Sequence, residues 1–517
     1  MLLCLLILGS IATFYLFLHH HYSYWKRRGI SQLKPSFAFG DFGPVIRGRA
    51  NFVHHLQGIY ERTKRDYSLL GLYVLFRPAL LVNDFVVARD ILSRDFQHFG
   101  DRGIYVDEKR DPFSGHLFAL DGERWRHVRH KVAPAFTPLK LKDVFQTQLI
   151  GGVVLQDHLK HFAESGQSVD VADLFLRYSV DMIASVAFGV EIDSVNCPEE
   201  QFYRVAHSSV ESNVKNLLRW TGGFLIPKVL KYTGTRLVDQ HVQDFFMHVV
   251  QQTVEYREKT GFTRRDVLQS LLKIMNAESQ NVSIDFTITD LTVTAFTFLL
   301  AGMETSSSTA TFCLYEIVNN QEIQRRLQKE IDESLQEHDG LITYDSVVAM
   351  KYLDHCVNEA MRKFPALAYL HRICTEDYLV PSTRTIIKKG TLVLIPIYAL
   401  QRDQEFFPHP DLFLPDRFND PEAIRQAPFF PFGEGPRSCI GQRMGKMNVK
   451  IALVHLLSRY NFTLANPVDQ GREAPIDPLH FTISPQGSFN MNVTHRKCSS
   501  PSSHSKSLTN HSVSLAH

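Results

Sequence analysis

The sequence predicts a mainly α-helical fold with a small β region, preceded by a single-pass N-terminal membrane anchor. Three features predict it. Long stretches in the middle of the chain carry apolar residues at three- and four-residue spacing, the period of an amphipathic helix. Strand-like pieces are few, short and bounded by Pro and Gly. The first residues form an uncharged apolar run.

That run, residues 2–18, covers most of a hydrocarbon core of about 30 Å at roughly 1.5 Å per residue. His19, Tyr22, Tyr24 and Trp25 supply side chains suited to the membrane interface. Lys26, Arg27 and Arg28 follow as a basic stop that keeps the rest of the chain in the cytosol. A cleaved signal peptide is the alternative, but no basic segment precedes the run and no small-residue cleavage site follows it. The expected organisation is a transmembrane anchor over 1–25, a basic linker over 26–35, one large domain over 36–495, and a Ser-rich tail over 496–517. The tail has too few apolar residues to offset its ordering entropy and is expected to be disordered.

Within the domain, helical patterns run over 143–162, 200–218, 238–258, 290–319 and 323–336. Strand-like pieces at 70–76 and 79–82, and at 378–380 and 391–397, read as two small sheets. The 290–319 segment is apolar almost all round and about 45 Å long as a helix, which places it through the interior. Threonines interrupt it, and it offers fewer than about 18 consecutive apolar residues, which argues against a second membrane span.

The net charge of +2 leaves no overall basic footprint, so no nucleic-acid partner is indicated. Seven scattered cysteines argue against a disulfide framework and against a cysteine zinc site.

One cysteine stands in a distinctive context. Phe432, Gly433, Glu434, Gly435, Pro436, Arg437, Ser438, Cys439, Ile440 and Gly441 form a Gly- and Pro-punctuated loop that leads into a helical stretch. A lone Cys is usually a small buried hydrophobe. A loop entering a helix N-terminus instead offers orphan N–H groups and the positive end of the macrodipole, both of which favour a thiolate. Glu359 and Arg362 lie three apart on a helical stretch, by themselves an ordinary surface pair. Trp125 and Arg129 lie four apart in a basic run that alone reads as a surface helix. Within the long interior segment, Ala301, Gly302, Met303, Glu304 and Thr305 set an acid and an alcohol beside two small residues. A mid-helix Gly costs up to about 1 kcal/mol, so a space or local bulge is expected there.

Taken together, these residues resemble the cytochrome P-450 family, over a stretch from about residue 34 to residue 493. Phe432, Gly435, Arg437, Cys439 and Gly441 fill the fixed positions of its haem-binding loop. The resemblance implies the haem-thiolate fold and heme b (iron protoporphyrin IX) as cofactor. It makes Cys439 the proximal metal ligand, whose electron donation favours O–O cleavage. It assigns Trp125, Arg129 and Arg437 to the haem propionates, with Arg102 as a further candidate, and Phe432 and Gly441 to the haem cradle. Glu304 and Thr305 become the catalytic acid and alcohol. Glu359, Arg362 and Arg417 become a structural triad, with Asp416 where the family usually has Glu.

The resemblance further implies insertion of one oxygen atom from O₂ into a lipophilic small molecule. Electrons would come from NADPH through NADPH-cytochrome P-450 reductase, with cytochrome b5 as a further donor. The phrases GEGPRSCIG and AGMETSSST look most like insect microsomal members that oxidise foreign compounds, and endogenous lipids or hormones are the other substrate class. The implied location is the endoplasmic reticulum membrane, with the domain facing the cytosol. A single Pro35, where a proline-rich hinge is usual, leaves the orientation on the membrane open. A haem-thiolate isomerase or dehydratase is a second reading, and a haem sensor a third. Glu304 with Thr305 argues against both.

Pocket walls are expected from the 103–120 loop, Phe296, Leu300, the 366–370 turn and Ile483. Arg443, Lys446 and Lys450, with Arg126 and Lys131, are expected to form a basic face for the reductase. Met444, Met447, Ile451 and Val454 form the buried stripe of the same helix. Trp220, Phe224, Leu225 and Ile226 are expected to form an apolar loop that dips into the membrane interface.

Overall fold

The computed structural model describes residues 2–37, 39–278 and 286–496. Its central element is the helix Ile288–Asn319. A capping box starts it: the Thr287 hydroxyl accepts the Asp290 N–H at 3.2 Å, and the Asp290 carboxylate accepts the Thr287 N–H at 2.9 Å. Thr292, Thr294, Thr297, Thr309 and Thr311 each donate to the carbonyl four residues back at 2.6–2.8 Å. Their hydroxyls are thereby satisfied without leaving the interior.

Helices Val171–Ile183, Lys351–Lys363 and Gln442–Arg459 pack against this central helix. One core cluster joins Leu314, Ile317, Leu353, Val357, Leu453 and Leu456, and a second joins Val180, Phe188, Phe246, Phe296 and Leu299. The helices expected over 143–162, 238–258 and 323–336 form as Pro138–Ser165, Gln240–Thr260 and Gln321–Glu337. The one expected over 200–218 is two, Gln201–Ser208 and Val214–Leu225. Asn213 interrupts it, because its side chain accepts the Asn216 N–H at 2.8 Å and begins a new helix.

Among the described residues the β region holds three sheets. Strands β1 (Leu69–Val74) and β2 (Arg77–Val82) form an antiparallel pair that continues to β7 (Leu392–Ile395) and β4 (Leu370–Ile373). Strand β3 (Ser168–Asp170) joins β9 (Asn490–His495) and β8 (Tyr460–Leu464). Strand β5 (Tyr378–Val380) pairs with β6 (Thr385–Ile387), not with the 391–397 segment as expected. The physical reason is burial: all four residues of β7 are buried, as suits an inner strand covered on both faces.

The N-terminal expectations need correction. A helix forms over Leu2–His21, but among the described residues no helix is long and apolar enough to cross a membrane. The expected single-pass anchor is therefore not supported; the side chains of residues 2–7 and 11, on which it leans, lie outside the described residues. Trp25 is not an interfacial aromatic. It is 2% exposed, its Nε1–H donates to the Leu72 carbonyl at 3.0 Å, and a Cβ on Gly71 would collide with its ring. Residues 26–35 are not a free linker either, because Gly71 N–H donates to the Ser31 carbonyl at 2.7 Å and Ile30 is buried. At the other end, Arg496 still belongs to the domain through Asp332 at 2.9 Å. The rest of the expected tail, 497–517, lies outside the described residues.

Candidate active site

The cysteine loop reaches the helix Gln442–Arg459 with Gly441 at its N-cap. Cys439 N–H donates to the Phe432 carbonyl at 2.8 Å and closes the loop. Gly433 and Gly435 have φ of +70° and +71°, the left-handed region that favours glycine. A Cβ on Gly435 would collide with the Leu92 carbonyl. The close approach that requires this glycine is thus to protein backbone, the end of the helix Phe85–Leu92. Cys439 is enclosed by protein yet exposed toward a cavity of about 1290 Å³, which it helps to line together with Phe432, Ile440 and Gly441. Burial pushes its thiol pKa up, opposed by the Gly441 N–H and the charges of Arg129 and Arg102.

Guanidiniums surround the same cavity in excess of their partners. Arg437 donates from Nε to the Gly100 carbonyl at 2.8 Å and from Nη2 to Asp121 at 3.2 Å, while its buried Nη1 has no partner among the described residues. Arg102 donates to the Phe118 carbonyl at 2.9 Å and lies over the Phe118 ring. Arg129 reaches the Ser438 carbonyl at 2.9 Å. Arg372 holds the His371 carbonyl at 2.8 Å and leaves its buried Nε unpartnered. Burial and mutual repulsion lower Arg437 to about 10 and Arg372 to about 9. Asp121 is the carboxylate bonded to this group, and it also accepts the Arg102 and Gly103 N–H groups at 2.8 and 2.9 Å. A site with this much uncompensated positive charge and spare donors suits a ligand bearing carboxylates, which the haem propionates supply. Arg372 was not anticipated from the sequence, since nothing local distinguishes it from any strand arginine. Trp125 is buried with its ring face toward Arg437.

The central helix crosses the cavity with Ala301, Gly302, Glu304 and Thr305 among the lining residues. Thr305 Oγ1 donates to the Ala301 carbonyl at 2.5 Å. The helix carries no bulge at Gly302; the space is taken by Ile183, whose Cδ1 a Cβ would meet at 2.7 Å. The expected walls do line the cavity: Ile104, His116 and Phe118 from the 103–120 loop, Phe296, Leu300, residues 366–370 and Ile483.

The family model for cytochrome P450 matches residues 42–487, nearly the whole described domain. The chain belongs to the cytochrome P450 family. It is 40% identical to a protein named probable cytochrome P450 6d4 from Drosophila melanogaster, over 87% of this chain and 91% of that one. It is 37% identical to cytochrome P450 6j1 from Blattella germanica, over 93% and 95% of the two chains. With cytochrome P450 6A1 from Musca domestica it shares 34% identity over 94% and 96%. As a cytochrome P450 the chain is a haem b-dependent monooxygenase, and the mostly helical fold with small sheets is the fold of its family.

Three further groups in this P450 show where the sequence reading held and where it did not. Glu359 and Arg362 are fully buried and form a two-point ion pair at 2.7 and 2.9 Å. Arg417 joins Glu359 at 3.1 Å, so the three residues do meet. Asp416 points elsewhere, to Arg326 at 2.8 Å, which explains why Asp can stand there. The expected basic stripe is not a free face, because Lys446 and Lys450 both bind Asp354 of the helix Lys351–Lys363. Met447, Ile451 and Val454 are buried as expected, while Met444 is half-buried and lines the cavity. Finally, Trp220, Phe224 and Leu225 sit in a helix and line the cavity instead of forming an interfacial loop, while Ile226 follows that helix and is exposed. Phe224 stacks on Phe481 with centroids 4.8 Å apart, which accounts for its inward position.

Proposed function

We propose that Cys439 would hold haem b through its thiolate sulfur and that the chain inserts one oxygen atom from O₂ into a lipophilic small molecule. The observation that carries this reading is the Cys439 thiol opening into a cavity that is ringed by under-partnered guanidiniums and lined by Thr305. Bound there, haem with a thiolate ligand supplies the oxygen-activating chemistry. Arg102, Arg129, Arg372 and Arg437 hold its propionates, and Trp125 braces Arg437. Phe432 and Gly441 line the sulfur side. The Thr305 hydroxyl orders protons at the reacting oxygen, and Glu304 supplies them.

Electrons come from NADPH through NADPH-cytochrome P-450 reductase, with cytochrome b5 as a further donor. Substrates are foreign lipophilic compounds, with endogenous lipids or hormones as the second class; walls of Phe118, Phe296, Leu300 and Ile483 support an apolar ligand. The enzyme works at the endoplasmic reticulum membrane with its catalytic domain in the cytosol, a reading that rests on its membership of the cytochrome P450 family. The catalytic domain spans residues 36–495. The test is the reduced protein with carbon monoxide: a thiolate opposite the gas shifts the main haem band strongly to the red. Failure of that band to form in the wild type would overturn the reading.

A further inference from the structure

Glu304 does not stand alone in the cavity. His480, 176 residues later, directs Nδ1 onto its carboxylate in an ion pair, and Ser484 Oγ donates to the same oxygen at 3.2 Å. Their loop is braced around Asp477: its N–H donates to the Ser484 carbonyl at 2.9 Å, and its carboxylate accepts the Leu479 N–H and the Ser212 hydroxyl, each at 2.8 Å. The Glu304 and His480 side chains are 13% and 16% exposed, so the pair is sheltered but not sealed. The charged groups facing the imidazole are Glu304 from the central helix, Asp477 from its own loop and His207 from the helix Gln201–Ser208; Glu211 and Asp173 stand beside His207. Burial works against charge on His480, but Glu304 and Asp477 outweigh it and its pKa is raised. Burial lowers that of His207, which leaves His480 the member of this cluster built to hold a proton.

A carboxylate that hands protons to an apolar cavity needs a partner that holds it in place and a donor that refills it. We propose that His480 performs both tasks, as the positioning residue of Glu304 and its source of protons from solvent. In the refilling step the His480 Nδ1–H bond breaks as an O–H bond forms on Glu304, leaving a neutral ring and a neutral acid. Once Glu304 passes its proton toward Thr305, the ring takes one from solvent water and the pair is restored. The inference rests on the monooxygenase reading above.

The test uses the full-length holoenzyme in reductase-containing membranes with NADPH and ethoxycoumarin as probe. His480→Gln keeps a hydrogen-bond donor for Glu304 but cannot carry a proton. Its product per NADPH is expected to drop roughly tenfold, less than the 10²–10⁴ of a positioned acid because water still reaches Glu304. Its solvent deuterium isotope effect is expected to rise. Product per NADPH in the wild type should decline as pH rises through the His480 pKa, a decline absent in His480→Gln. A second readout needs no turnover: the wild-type Tm should fall over that pH range as the ion pair loses its cation, and the variant Tm should not. Equal coupling and equal pH profiles in the two proteins would overturn the inference. A wild type that makes no product while its Tm shows the pH response would instead indict the monooxygenase reading.

Discussion

The Arg437 guanidinium carbon stands 4.2 Å from the centre of the Trp125 ring. This contact joins the cysteine loop to the helix Gly122–Val132 beside the cluster of cavity guanidiniums. A cation over an indole contributes roughly 0.5–2 kcal/mol, and here it orients a guanidinium whose Nη1 has no partner among the described residues. Trp125→Ala is therefore expected to speed haem loss several-fold, with Trp125→Phe intermediate. Following the main haem band after mixing with apomyoglobin measures it; equal loss rates would remove Trp125 from the cofactor site.

Cys439→Ala is expected to abolish the red-shifted carbon monoxide band and monooxygenase turnover. Cys197→Ala, on the surface, should leave both intact. A red-shifted band surviving in Cys439→Ala would show that another ligand binds the iron.

Thr305→Ala removes the hydroxyl that now donates to the Ala301 carbonyl. The helix should persist, since Ala is the better helix former. NADPH consumption is expected to continue while peroxide rises and product falls by about tenfold or more. The ratio of product to NADPH is the measurement, and an unchanged ratio excludes Thr305 from proton handling.

Charge reversal at Lys450 should act on stability before it acts on any partner. Its side chain is 7% exposed and paired with Asp354, whose side chain is 32% exposed and also holds Lys446, so the loss is expected to fall below the roughly 3–5 kcal/mol of breaking a fully buried pair from one side. Lys450→Glu should thus lower Tm and haem content together. Arg443, exposed on the same helix, is the better probe of reductase docking. Arg443→Glu should slow reductase-supported turnover in a salt-dependent way at unchanged Tm. Burial opposes charge on Asp354, but Lys446 and Lys450 outweigh it and lower its pKa. The stability it contributes is present above the unfolded carboxylate pKa and is lost as pH falls through the folded value, so acid should loosen this contact only below the pH at which an unshifted carboxylate protonates.

Glu359→Gln should be the most damaging single change outside the cavity. The carboxylate is fully buried between Arg362 and Arg417 and also accepts the Leu414 N–H at 3.0 Å. Neutralising it strands two guanidiniums, at a cost of about 3–5 kcal/mol. Poor expression of folded haem protein is expected, and near-wild-type thermal stability would contradict the assignment.

What the sequence determined by itself was whatever is encoded locally. The Cys439 loop was legible because its glycines, proline and helix entry lie within ten residues, and Glu359 with Arg362 because one helical turn brings them together. The central helix announced itself by apolar residues almost all round, whereas the capping box of Thr287 and Asp290 that starts it emerged only in the structure. Only the tertiary structure decided which distant groups neutralise one another. His480 reaches Glu304, Asp354 takes up Lys446 and Lys450, and Arg372 joins Arg437 near Asp121. Likewise Trp25, which reads as an interfacial aromatic, is claimed by the bare backbone of Gly71. A charge or a ring far along the chain has no fixed partner until folding removes water from around it, and the cost of leaving it unpaired then selects the contact it makes.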